Sequence, residues 1–193
     1  MNSILKESLL NFIDLTQEEL DYFDDILERR TLKKESFLLK EGQVSTEIAY
    51  IKTGLLMHYS LHDGNIVPCD FTPENNWAAY LKSFTNKISS DMNIIALENS
   101  ELLILKSTDM YRLFEKHPKY QKLRDQQVEK AFYQSTQHAA DLAMLIAKER
   151  YYKLMQQNPE FIQRVPQYHL AAYLGMRPQS LSRIRKSSED SGS

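Results

Sequence analysis

A chain of 193 residues with 42% hydrophobic content and a formal net charge of -2 can fill one moderate core, with at most a small second domain. No apolar run approaches the ~20 residues of a membrane span, and Glu7 and Asp14 interrupt the N-terminal stretch where a secretory h-region would be continuous. Cys69 is the single cysteine, which excludes an intrachain disulfide, a CxxC pair and a four-thiolate cluster, and points to a reducing, cytoplasmic setting.

Residues 1–30 read as two short helices. Ile4, Leu5, Leu9, Phe12 and Ile13 recur at spacings of three and four, and Thr16-x-x-Glu19 forms a capping-box pattern ahead of Leu20, Phe23 and Leu27. From Thr31 to Leu105 the period turns toward two, in the pieces "SFLLK", "IAYIKTG", "LLMHYSL", "NIVPCDF", "MNIIAL" and "ELLIL". Gly42, Asp63-Gly64, Pro73 and Asn75-Asn76 separate them as turns, which predicts an antiparallel barrel or sandwich.

Helical periodicity returns at Ser107 and is punctuated at Pro118, Asn158-Pro159 and Pro166. The stretch from Lys119 to Gln157 is too long for one helix on a globule of this size, so a break between Ala143 and Lys148 is expected. Tyr120, Leu123, Val128, Ala131, Phe132, Ser135, Ala139 and Leu142 trace a stripe with several small residues, which suits two copies packing side by side as a homodimer. The Ser-rich end "SSEDSGS" is expected to be mobile.

The segment "LAAYLGMRPQSLSRIRK", residues 170–186, carries the most specific spacing. Leu170, Ala171, Leu174, Met176, Leu181 and Ile184 occupy the inward positions of two short helices that cross steeply, Ala171 sits where they touch, and Gly175 takes the left-handed turn. Pro178 suits the first turn of the second helix. The predicted unit is a helix-turn-helix. Its outer side carries Arg177, Gln179, Ser180, Ser182, Arg183, Arg185 and Lys186 and no acid, groups suited to base edges and phosphates of double-stranded DNA. Arg183 and Gln179 are the base-reading candidates, whereas Arg164, Arg185 and Lys186 suit phosphates. The charge distribution agrees: residues 148–186 hold eight bases against two acids, whereas residues 1–147 hold sixteen bases against twenty-two acids.

This order of parts, with "EGQVSTEIAYIKTGLL" and "IIALENSELLIL" in the strand region, resembles the Crp–Fnr family of bacterial transcription regulators over nearly the whole chain. The resemblance implies an α+β fold: an N-terminal antiparallel β-roll (jelly-roll) with flanking helices over residues 1–116, a dimerisation helix over 117–145, and a helix-turn-helix domain over 146–193. It also implies a cytoplasmic, non-enzymatic regulator that reads DNA as a homodimer through residues 178–186 and meets RNA polymerase. The family's β-hairpin wing is expected to be reduced or absent, because only "NPEFIQRV" precedes the helix pair and a short tail follows it.

The family's cyclic-nucleotide signature is Phe-x-Gly-Glu followed by Arg-Ser or Arg-Thr, with the Gly N–H and Arg on the phosphate and Glu on the ribose. Here "FTPE" (71–74) and "SD" (90, 91) stand in those places. Pro73 has no N–H, Ser90 replaces the bidentate cation, and Asp91 sets a negative charge beside the phosphate. Pro73, Glu74, Trp77, Ser90 and Asp91 therefore mark an altered effector pocket that is not expected to bind cyclic AMP. Lys82 and Lys87 are the nearby cations, and Trp77 could fill the nucleotide's space. The barrel then senses an unidentified small molecule, or is a ligand-free structural module in a regulator or adaptor. His58, His62 and Cys69 would be the axial candidates for a haem, and with Glu74 they define a cupin-like metalloprotein, which would leave the C-terminal helix pair without a purpose. No cofactor is expected.

Overall fold

The structure, a computed structural model, describes residues 3–190, with backbone alone for 188–190. They divide into two compact units, residues 3–58 with 71–131, and residues 59–70 with 132–190.

In the first unit, α1 (Ser3–Phe12) and α2 (Gln17–Asp25) are the two expected short helices. At α2 the Glu19 N–H donates to Thr16 Oγ1 at 3.3 Å and the Thr16 N–H donates to Glu19 Oε2 at 2.8 Å, a complete capping box. Lys119 Nζ lies 2.8 Å from the same carboxylate oxygen. With the cap N–H it holds the carboxyl down to about 2.

Eight strands follow, residues 59–70 of β4 and β5 being counted with the second unit: β1 (Glu28–Leu32), β2 (Phe37–Leu39), β3 (Glu47–Thr53), β4 (Leu56–His62), β5 (Asn65–Thr72), β6 (Trp77–Ala78), β7 (Asn93–Ala96) and β8 (Ser100–Lys106). They form two four-stranded sheets, in the orders β1-β8-β3-β6 and β2-β7-β4-β5. The β3 and β8 runs are apolar on both faces for a specific reason. Ala49, Ile51, Leu102 and Ile104 pack inside the roll, whereas the alternate residues Tyr50, Leu103 and Leu105 pack with Leu5, Leu9, Phe23 and Leu113 of the helices. A sheet covered on both sides reads as a continuous hydrophobic run. Asp63 and Gly64, with φ of 50° and 76°, make the two-residue turn between β4 and β5.

Three local expectations need correction in this unit. Strand β1 begins at Glu28, inside the stretch read as helix, because Arg30 pairs with Glu47 and Glu28 and a strand rich in paired charge shows no apolar alternation. A short helix α3 (Leu81–Asn86) interrupts the strand region. Tyr120 lies in a 3-10 turn (Pro118–Tyr120) ahead of the long helix, and both it and Leu123 are buried in the core with Phe23, so the stripe expected at a dimer face loses its first two members.

Helix α4 (Ser107–Lys116) follows β8, and α5 (Gln121–Met144) is the long helix. The break falls at Leu145 and Ile146, inside the expected window, and Glu149 Oε2 accepts the Ile146 N–H at 3.0 Å to start α6 (Ala147–Gln157). "NPEFIQRV" is not a plain linker: Pro159 opens a further helix, α7 (Pro159–Arg164), as proline at a first helical position does. Then come α8 (Gln167–Tyr173) and α9 (Pro178–Asp190). Helix α9 takes in 187–190 of the tail expected to be mobile, and residues 191–193 lie outside the described residues. Among the described residues no strand follows Lys106, and no helix is long and apolar enough to cross a membrane.

Candidate nucleic-acid interface and the altered barrel site

The helix-turn-helix is built from α8, a turn and α9. Leu170, Ala171 and Leu181 are fully buried and Leu174 nearly so, while Met176 and Ile184 are half-buried. The Gly175 N–H donates to the Ala172 carbonyl and the Met176 N–H to the Ala171 carbonyl, each at 3.0 Å. With Gly175 at φ 62°, these bonds make a Schellman ending, the geometry that needs glycine. A Cβ there would also stand 3.0 Å from Leu142 Cδ2.

Helix α9 starts on Pro178, and Gln179, Ser182, Arg183 and Lys186 fall at i, i+3, i+4 and i+7 along one exposed stripe, with Arg177 exposed at its entry. No acidic residue interrupts it. Ser180 and Arg185 lie half-buried on its flanks, and Arg185 has an interaction of its own, as does Arg164 at the end of α7. The stripe can therefore present amide, hydroxyl, guanidinium and ammonium groups together to a polyanion.

Along α5, Val128, Ala131, Phe132, Ser135, Ala139 and Leu142 are all exposed, Phe132 at 65%. Tyr133 and Met144 extend the apolar exposure.

The barrel residues singled out by sequence fall into two separate groups. Pro73 and Glu74 lie in the turn between β5 and β6, where Glu74 Oε1 accepts the Gly54 N–H at 2.8 Å and Asn75 Oδ1 accepts the Tyr50 hydroxyl at 3.0 Å. Trp77 pairs with Tyr50 across β6 and β3 and packs edge-on against its ring, with centroids 5.3 Å apart. Ser90 and Asp91 have other partners. Buried Ser90 donates its Oγ to the Met92 carbonyl at 2.7 Å, and its backbone bonds Gln43 and Gly42. Exposed Asp91 accepts from the Tyr80 hydroxyl and from Lys82 Nζ at 2.8 Å, and Lys82 holds its carboxyl at about 2. Tyr80, just ahead of α3, thus meets Asp91, not Glu74. The quartet "FTPE" and the pair "SD" do not converge through these contacts. Lys82 is already paired, and Lys87 lies over the Tyr111 ring. An open cleft of about 420 Å³ lies between Leu38, Val44, Glu47 and Ile94, and none of the five predicted effector residues lines it.

Among the described residues no group of three or more His, Cys, Asp or Glu is placed to hold a metal. His58 is buried with Nε2 2.9 Å from Thr72 Oγ1, and His62 is exposed beside Asp63. Cys69 is exposed on β5.

No protein-family model and no curated protein matches the sequence. Solved structures do. The c-di-GMP responsive global regulator CLP of Xanthomonas campestris superposes with a TM-score of 0.72 at 16% identity, covering 92% of this chain and 93% of that one. FixK2 of Bradyrhizobium japonicum gives 0.73 at 15% identity, with 86% of each chain covered. A Crp/Fnr-family transcriptional regulator of Eubacterium rectale gives 0.70 at 16%, covering 95% and 87%. At such identities the likeness is one of fold: the chain has the Crp–Fnr fold, a β-roll with flanking helices followed by a helix-turn-helix.

Proposed function

We propose that this protein is a transcription regulator that binds duplex DNA as a homodimer through α9. The observation that carries the reading is the exposed, acid-free stripe of Gln179, Ser182, Arg183 and Lys186 on a helix fixed by the Gly175 turn. The fold shared with CLP and FixK2 supports it. Residues 1–116 form its β-roll domain, 117–145 its dimerisation segment and 146–193 its DNA-binding domain. The exposed apolar run on α5 supplies the face for a second copy. Arg183 and Gln179 read bases, Lys186 and Arg177 hold phosphates, and half-buried Ser180 and Arg185 sit at the margin of the contact. The protein works by binding, without catalysis, at RNA polymerase promoters in the cytoplasm.

The test is a mobility-shift titration on duplexes enriched by the wild-type protein from a random pool, beside an unrelated duplex. Arg183→Ala should lower discrimination between the two by about 1–3 kcal/mol. Lys186→Ala should weaken both alike and reduce the salt slope by about one. Equal, sequence-blind losses from both variants would refute the role given to Arg183.

The β-roll does not bind cyclic AMP in the family manner. Pro73 offers no N–H, Glu74 is held by Gly54, and Asp91 is neutralised by Lys82 instead of facing a free cation. Calorimetric titration with cyclic AMP should show no micromolar binding, and such binding would overturn this reading. These internal partners favour a ligand-free barrel over one that senses a small molecule. Native mass spectrometry separates the two, because it reports dimer and retained ligand together.

A further inference from the structure

Arg150 of α6 is half-buried, and each of its three guanidinium nitrogens donates to a backbone carbonyl. Its Nε donates to the Leu174 carbonyl at 2.7 Å, Nη2 to the Gly175 carbonyl at 3.4 Å, and Nη1 to the Leu145 carbonyl. The acceptors belong to two places far apart in sequence. Leu145 directly follows the long helix α5, whereas Leu174 and Gly175 form the turn between α8 and α9. All three are carbonyls at helix ends, where intrahelical donors run out and the dipole is negative. A planar fork of donors can serve both ends at once, which a compact ammonium cannot.

Other contacts join the same two elements. Lys153 Nζ lies 2.7 Å from Asp141 Oδ1, the His138 and Tyr173 rings stack at 4.1 Å with planes 8° apart, and Leu142 sits under Gly175. Those act on side chains, whereas Arg150 alone among these residues grips the backbone of the turn that launches α9.

We propose that Arg150 is a positioning residue that locks the recognition helix to the end of α5 and so fixes the separation of the two recognition helices in the dimer. This inference rests on the DNA-binding reading above. Two half-sites must match a fixed protein spacing of about one helical turn, so a rigid joint is read out as spacing selectivity. Loosening it leaves each recognition surface intact but spreads the distance between them.

Two measurements test this on Arg150→Gln and Arg150→Lys. In the first, spin labels on cysteines at positions 134 and 182 of a Cys69→Ser chain, diluted with unlabelled protein, report the distance from α5 to α9 within one chain without any DNA. The distribution should be at least about twofold wider in both variants, the lysine failing to rescue because a point charge cannot bridge both ends. In the second, duplexes enriched by the wild-type protein are compared with the same sequences whose half-sites are moved apart by one or two base pairs. Both variants should bind the enriched duplex about tenfold more weakly and discriminate spacing less than twofold. An unchanged distance distribution, full rescue by lysine, or retained spacing discrimination would each overturn the proposal. A wild-type chain that ignores every duplex would instead refute the DNA-binding reading, and the distance distribution would still judge the joint.

Discussion

Gly54→Ala is expected to cost the first unit more than about 3 kcal/mol, a large fraction of the roughly 5–15 kcal/mol that holds a native fold together. Gly54 joins β3 to β4 at φ 103°, and a Cβ there would lie 2.1 Å from Ser100 Oγ and 2.8 Å from Ser100 Cα. Rotating the serine cannot relieve the second clash, because it involves backbone held in the β8 ladder next to β3. Its N–H also donates to Glu74, so any shift of the turn breaks that bond. Gly42→Ala and Gly64→Ala are the controls: both glycines have positive φ, but nothing lies within 4 Å of their added Cβ. They should cost about 1–2 kcal/mol, the conformational term alone. Denaturant titration of the three variants checks this, and equal costs would show that the contact with Ser100 is not the decisive one.

The second large effect is acid sensitivity set by His58. Burial without a charged partner pushes its pKa from 6.5 to about 4, so the folded state holds the ring neutral while the unfolded chain protonates it. A depressed histidine pKa means that stability is full above pH 6.5 and falls as pH drops toward 4. By pH 4.5 the loss from this one site should be roughly 2–3 kcal/mol. Burial lowers His138 and His169 as well, and both add to the same window. The held-down carboxylates Glu19 and Asp91, both at about 2, contribute fully above the ordinary carboxylate range and lose that contribution only as pH falls from about 4.5 toward 2, so the interval from pH 6.5 to about 5 isolates the histidines. His58→Gln keeps a hydrogen-bonding partner for Thr72 but cannot titrate, and its denaturation midpoint should be much flatter over that interval. A wild-type midpoint unchanged from pH 7 to 4.5 would contradict the assignment.

The parts of this fold that were legible in the sequence are those whose residues bury in a repeating pattern. The runs at β3 and β8, the Asp63-Gly64 turn, the Thr16 cap and the positions 170, 171, 174, 175 and 181 each state a local geometry directly. What stayed hidden depended on long-range partners. Strand β1 looks polar because its charges are answered by Glu47 and Lys106, seventeen or more positions away. Helix α3 spans six residues, too few for a period to show. The pairing of Asp91 with Tyr80 and Lys82 depends on side chains nine and eleven positions away, whereas the motif "FTPE" lies in a turn that serves Gly54. Arg150 had no signal at all, since its acceptors are backbone carbonyls that any sequence supplies.

The central claim, that α9 faces DNA, is tested most directly by fluorescence anisotropy of the wild-type protein with a pool of labelled random duplexes at stepped salt concentrations. Binding should tighten steeply as salt falls, with a log–log slope of several units, and repeated selection should enrich a two-part site. A protein that leaves duplexes unbound even at about 20 mM salt, where phosphate contacts are at their strongest, would contradict it.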